Sequence, residues 1–424
     1  MRSAIQDIQG ACAPLLLHAP MYLRAMLLLH YRYGAHLSKE QVAELVAPHP
    51  HTLNLINSWL EHHGVPSSSV STSHGGGWLK LTGVPVSQAN TLLGASYQLY
   101  QHAETKDRVL CTLSYSLPAV LHGHVKTVAL TTYFDLPRTL QQTLRKRTGG
   151  ALVKSASGEL VKVLSSRNND PVAPSFLRRL YNTEGYELDA ADRDRNKLGI
   201  AAYLSGYPIQ DDLAAFMRKY RSDGADATYS LVLVDDGDIP DEPDEEVSID
   251  TQYAEAIAYR TPHTVYTTLG QGSLAIWLDY VIGLSDSDLL HTISRSYGAD
   301  EQDIPEDLAI ALCDLYAHLG ARGVTIIFSS GDDAIGRGEC KVNDGSGRVQ
   351  FLPTFPASCT CGAFLRKLRY KPLTTLPCFN RSLCHQRWRH DQRTPRGCRA
   401  ILLGRLLELF QASDLPGRRR VTLS

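Results

Sequence analysis

Glu246 and Asp250 stand four residues apart in the stretch Glu-Val-Ser-Ile-Asp-Thr-Gln-Tyr-Ala, a spacing that sets both carboxylates on one face of a helix. Like charges so placed cost stability, so the pair calls for a reason. Close carboxyl groups do not ionise independently. They share a proton, one is held protonated to higher pH, and the ionised partner suits a general base supported by a second acid. Glu246 closes an acidic run at 241–246 with Asp250 one turn on, and negative charge at a helix N-terminus is favoured by the dipole; the pair alone fits either role. A third acid, Asp332, falls in Ser-Ser-Gly-Asp-Asp directly after the apolar run 324–328. The carboxyl end of a parallel strand is where α/β folds put their sites, which makes Asp332 a candidate, although an Asp beside glycine also serves a plain turn. The loop lacks the Gly-Lys-Ser/Thr ending of a phosphate cradle.

The elements that must hold these acids follow from the hydrophobic pattern. Apolar runs at 198–204, 229–234, 264–269, 292–296 and 324–328 alternate with helical segments at 250–259, 274–284 and 306–319. Continuous Val/Ile/Leu strands between amphipathic helices predict a parallel sheet covered on both faces. Upstream, Ser38 with Gln41 three residues on reads as a capping box opening a helix, a second helix follows at 52–63, and strands are expected at 78–81 and 109–115. Residues 135–172 turn polar and basic, then rich in Ser and Asn, as in an exposed linker open to proteolysis.

With 424 residues, 43% hydrophobic, the chain can bury a large core, and its 43 Lys+Arg against 44 Asp+Glu produce no global field that would draw nucleic acid or an anionic membrane. The apolar pieces near the N-terminus are broken by His18, Pro20 and Arg24, so neither a spanning helix nor a signal peptide is read there. Nine cysteines form no regular disulfide framework, and Cys359, Cys361, Cys378, Cys384 and Cys398 lack the C-x-x-C pairs of a zinc site. The arginine-rich tail has no nucleic-acid motif and reads as a solvated extension. His122-Gly-His124 has no Ser or Cys nucleophile signature beside it and reads as loop or packing histidine.

In order along the chain, Tyr33-Gly-Ala-His-Leu-Ser-Lys-Glu-Gln-Val, Ser58-Trp-Leu-Glu-His-His-Gly, Tyr115-Ser-Leu-Pro, Pro174-Ser-Phe-Leu-Arg-Arg-Leu-Tyr-Asn, Ser296-Tyr-Gly, Leu319-Gly-Ala-Arg-Gly-Val-Thr-Ile-Ile-Phe-Ser-Ser-Gly-Asp and Phe351-Leu-Pro-Thr-Phe-Pro-Ala-Ser-Cys resemble the sedolisin family of serine-carboxyl peptidases, of the tripeptidyl-peptidase kind. The resemblance implies a ferredoxin-like α+β activation prosegment at 33–134, a linker at 135–172, and an incomplete subtilisin-like α/β peptidase domain with a parallel sheet at 173–359. These lie between an unmatched segment 1–32 and an unmatched basic, Cys-rich tail 360–424. It further implies that Glu246 is the general base, Asp250 the acid that orients it, both in a Glu-x-x-x-Asp-x-Gln pattern with Gln252, and that Asp332 is an oxyanion-hole acid. A protonated Asp332 donates to the developing oxyanion, so the chemistry is expected in acid.

By the same resemblance the protein is extracellular, monomeric, cuts tripeptides from peptide N-termini, and meets peptide or protein substrates rather than nucleic acid or membrane. Calcium belongs to the family, but the ligands expected near its C-terminus have no counterpart in this chain, and no other cofactor is identified. The family nucleophile lies in Ser-Gly-Thr-Ser-Ala; no such string follows Cys359, so the chain is expected to be inactive as written. The abrupt change at Thr360 favours a shifted reading frame or retained intron over a degenerate member. Loss of the last strands is expected to expose apolar sheet edge. The alternative is a non-catalytic, prosegment-like inhibitor or interaction protein.

Overall fold

The structure, a computed structural model, describes residues 36–72, 77–101, 108–129, 131–134, 172–189, 192, 196–203, 206–234, 243–268, 274–329 and 340–359, with the backbone of Ser273 and a few short strands named below.

The N-terminal half builds a small α+β unit. Ser38 accepts from the Gln41 amide while the Gln41 side chain accepts from the Ser38 amide, which caps α1 (Lys39–Val46) at both donors. Pro50 opens α2 (Pro50–His62), where its missing N–H costs nothing, and α3 spans Val86–Leu93. Two antiparallel sheets complete the unit. One orders β1 (Arg2–Ser3), β5 (Gln98–Gln101) and β6 (Arg108–Cys111); the other orders β3 (Val70–Thr72), β4 (Trp78–Leu81), β2 (Leu15–His18) and β7 (Thr127–Ala129). The N-terminal stretch ahead of α1 therefore supplies a central strand, β2, paired with both β4 and β7. The strand expected at 109–115 stops at Cys111, ahead of the turn that leads into Pro118. Ile56, Trp59 and Leu60 of α2 pack on Leu79 and Leu81 of β4 and on Leu92 and Leu93 of α3, each burial contributing about 1.5–3 kcal/mol.

Between the two halves, β8 (Arg138–Thr139) pairs with a strand of the C-terminal half, while β9 (Leu152–Lys154) and β10 (Leu160–Lys162) pair with each other. The C-terminal half opens with α4 (Pro174–Leu180), then alternates strand and helix. Its elements are β11 (Leu198–Tyr203), α5 (Gln210–Tyr220), β12 (Tyr229–Val234), α6 (Glu245–Ile257), β13 (His263–Thr268), α7 (Ser273–Gly283), β14 (Thr292–Arg295), β15 (Tyr297–Asp300), α8 (Glu306–Ala321), β16 (Thr325–Phe328) and β17 (Thr354–Phe355). Five of the strands form one parallel sheet in the order β12-β13-β11-β14-β16. β11 is central and buried from Gly199 to Tyr203, as expected of a strand covered on both faces. Trp277, Leu278, Val281 and Ile282 of α7 and Leu312, Leu315 and Leu319 of α8 fill the core against it. A disulfide between Cys313 of α8 and Cys359 ties the end of the described chain back to the core.

Candidate active site

Both acids of the first motif fall on α6, at the carboxyl end of the parallel sheet. The helix starts there because Asp244 caps it: its Oδ1 accepts from the Val247 amide at 3.1 Å. The capping role thus belongs to Asp244, which frees Glu246 and Asp250 for other work. Gly206, in the loop after β11, lets α6 approach. A Cβ there would stand 2.7 Å from Val247 Cγ2 and 3.1 Å from Asp244 Cβ, and the Gly206 carbonyl accepts from buried Thr267 Oγ1 at 2.6 Å. At the far end of α6, buried Glu255 lies with Oε1 2.8 Å from Nδ1 of buried His263, which opens β13. The helix is therefore held at both ends.

Glu246 and Asp250 are half-buried on this scaffold. Asp250 Oδ1 accepts from Ser296 Oγ at 2.9 Å, a contact between residues 46 apart in sequence that no local pattern announces. Ser296 joins β14 to β15, so the bond fixes the acid pair against the start of β15. Next to it the Tyr297 phenol is raised above its ordinary range, first by burial and then by the negative charge of Asp244, Asp250 and Glu246. It stays neutral at every working pH, so the acids face a neutral aromatic wall. β15 pairs antiparallel with β17 on one side and with β8 on the other, Tyr297 opposite Thr139 and Gly298 opposite Arg138. An extended stretch of the same chain, β8, thus lies along β15, beside the Asp250–Ser296 contact.

Asp332 lies outside the described residues. β16, the strand before it, ends at Phe328, and the Ser329 amide donates to the Arg295 carbonyl at 3.0 Å, so β14 and β16 finish side by side. The tail 360–424, with its arginines and Cys/His residues, also lies outside the described residues. Among the described residues no three His, Cys, Asp or Glu side chains converge as a metal requires. No step below uses the calcium that the resemblance implies. No helix among the described residues is long and apolar enough to cross a membrane. His122 and His124 sit in a turn, half-buried His124 with Nδ1 at 2.8 Å from Thr52 Oγ1 and exposed His122 with Nε2 at 3.1 Å from the Leu117 carbonyl.

A family model described as the activation domain of Pro-kumamolisin matches residues 24–134. "Probable tripeptidyl-peptidase SED3" of Arthroderma benhamiae is 32% identical over 353 residues, covering 78% of this chain and 57% of that protein. "Tripeptidyl-peptidase SED4" of Arthroderma otae is 30% identical over 350 residues, covering 78% and 56%. The chain therefore spans little more than half the length of the curated relatives it matches. Among solved structures, a Pseudomonas sedolisin complexed with two molecules of pseudo-iodotyrostatin aligns at 19% identity and a TM-score of 0.34, covering 45% of this chain and 51% of that one, too weak a likeness to bear on the fold.

Proposed function

We propose that this chain, which belongs to the sedolisin family, is built to hold an extended peptide along β15 next to an acid pair that serves as base and orienting acid. The observation that carries this is the Asp250–Ser296 hydrogen bond, which fixes the carboxylates of α6 at the root of a strand already paired with an extended segment, β8. A peptide added to β15 in place of β8 forms backbone hydrogen bonds regardless of its side chains and passes beside Glu246. In the proposed chemistry Glu246 accepts the proton of an attacking hydroxyl, Asp250 orients Glu246, and a protonated Asp332 donates to the oxyanion. The reaction class is serine-type peptide hydrolysis in acid, with release of N-terminal tripeptides as the proposed outcome. The setting proposed is extracellular, as a monomer with the activation segment still attached.

The 424 residues contain no Ser-Gly-Thr-Ser-Ala string to supply that hydroxyl, so the chain alone is proposed to bind peptide without turning it over. Incubation of the purified chain with a fluorogenic tripeptide substrate between pH 3 and 5 tests this. No release is expected. Release that disappears in Glu246→Gln would overturn the inactive reading and uphold the acid pair, whereas release untouched by that substitution would overturn both.

A second reading is favoured by the way the activation segment grips the peptidase portion. Leu37 donates to the Ala321 carbonyl at 3.0 Å, and Lys126 pairs with Asp314 of α8 at 3.2 Å. A chain with such a module can act as a non-catalytic inhibitor, tested by adding it to an active relative and measuring loss of tripeptide release.

A further inference from the structure

Arg295, the last residue of β14, is the one charged side chain among the largest fully buried ones. Its neighbours among the described residues are neutral. Nη1 donates to Tyr316 Oη at 2.7 Å, and the guanidinium lies 5.0 Å from the ring centre of Tyr203 and 6.0 Å from that of Phe328. Among the described residues no carboxylate comes within ion-pair distance of it, and its Nε has no hydrogen-bond partner. Tyrosine rings and a hydroxyl soften the cost of burying a cation but supply no opposite charge, and a buried charge left without one is strongly unfavourable.

Arg295 also lines a cavity of about 40 Å³, otherwise walled by apolar residues that include Leu274, Leu308, Leu312 and Phe355. That is room for about three waters, or for a carboxylate head. Two features tie the cavity to the peptide path. Gly298 and Ala299 of β15 form part of its wall, and Ala129 and Tyr133 of the activation segment form another part. A peptide on β15 has alternate side chains directed to either side of the strand, so one of them faces this wall, and departure of the activation segment enlarges the space.

We propose that Arg295 is a specificity-determining residue: the cavity takes an acidic side chain from a peptide laid along β15, and its carboxylate supplies the counter-ion that none of the described residues provides. The apolar walls accommodate the methylene stem and the guanidinium accepts the carboxylate head in a charge-assisted, two-pronged contact. An amide of the same shape leaves the cation uncompensated, so glutamate is selected over glutamine. This deepens the peptide-binding reading and rests on it for the identity of the occupant.

The test has two arms, run at pH 6 where the ligand carboxyl is ionised. In the first, the melting temperature of the full chain is measured in sodium butyrate and in butyramide at matched ionic strength. Butyrate is expected to stabilise the wild-type chain and Arg295→Lys, and to have no such advantage in Arg295→Met, which replaces a buried ion by an apolar group of similar length and is expected to fold. In the second, labelled peptides differing only by Glu or Gln at one position are titrated by fluorescence anisotropy into the full chain. A preference for Glu of about tenfold or more is expected at one peptide position, gone in Arg295→Met. It is also expected to fade as pH falls through the ordinary carboxyl range and the ligand loses its charge. Equal melting temperatures in butyrate and butyramide, or an advantage that survives in Arg295→Met, would sink the anion site even if both peptides bind well. An Arg295-dependent butyrate effect with no binding of either peptide would keep the anion site but overturn its peptide occupant, together with the reading on which that occupant rests.

Discussion

Single residues divide into those whose type announced their role and those that needed neighbours. The Glu246/Asp250 pair was legible because its four-residue spacing is a helical spacing, and the helix is there. Ser296, which fixes Asp250, was not, because a hydroxyl 46 residues away becomes a partner only once β14 and α6 reach the same end of the sheet. His318 belongs to the second group as well. It lies buried in α8 one turn from Arg322, and burial, aided by the Arg322 charge, pushes its pKa down from an ordinary 6.5 to about 4. The sign follows directly. The unfolded chain takes up this proton first, so His318 leaves stability intact above about pH 6.5 and costs it progressively as pH falls toward 4, by roughly 3 kcal/mol in all. Urea unfolding across pH 4–7 should therefore show His318→Leu with a flatter pH profile than the parent chain; parallel profiles would refute the assignment.

Between elements, the most informative contact joins α1 of the activation segment to the other end of the sheet. Asp286, in the loop before β14, accepts from the Lys39 amide at 3.2 Å and from buried Arg322 at 2.7 Å. It is a cap for α1 supplied from the other half of the chain, placed where the helix dipole favours negative charge. Lys39 Nζ reaches the Gly283 carbonyl. His36 lies against Gly323, whose φ of +90° and whose missing Cβ, which would come within 2.7 Å of the His36 ring, both call for glycine. Asp286→Asn removes the charge from this shared cap. Because Asp286 is half exposed, solvent screening limits the effect to about 1 kcal/mol, which amounts to roughly fivefold faster amide exchange across α1. Hydrogen exchange by mass spectrometry would detect this, with β11 as the unchanged reference; unchanged exchange in α1 would show that the cap does not hold it. The capping box at Ser38 and Gln41 was readable from sequence since its two bonds are local, whereas Asp286 was not, being 247 residues from Lys39.

For the whole molecule, the Cys313–Cys359 bridge closes a loop with a sequence separation of 46 and pins the end of the described chain to α8. Chain entropy puts its contribution at about 4 kcal/mol, so Cys313→Ser with Cys359→Ser should lower the melting temperature by on the order of 10 °C; a shift within error would mean that packing alone holds this end. Cysteine spacing offered no hint of that pairing, because any two thiols can meet once a fold brings them together. What the sequence determined by itself was the alternation of strand and helix, the capping of α1, and the acid pair on one helical face. Each of these depends on residues a few positions apart, where backbone geometry sets the distance. What only the tertiary structure decided was the strand order β12-β13-β11-β14-β16, β2 as a central strand, β8 laid along β15, the disulfide and the buried cation at Arg295. Those depend on which surfaces meet when apolar faces close over one another, and burial free energy is shared by the whole core rather than carried by any short run of residues.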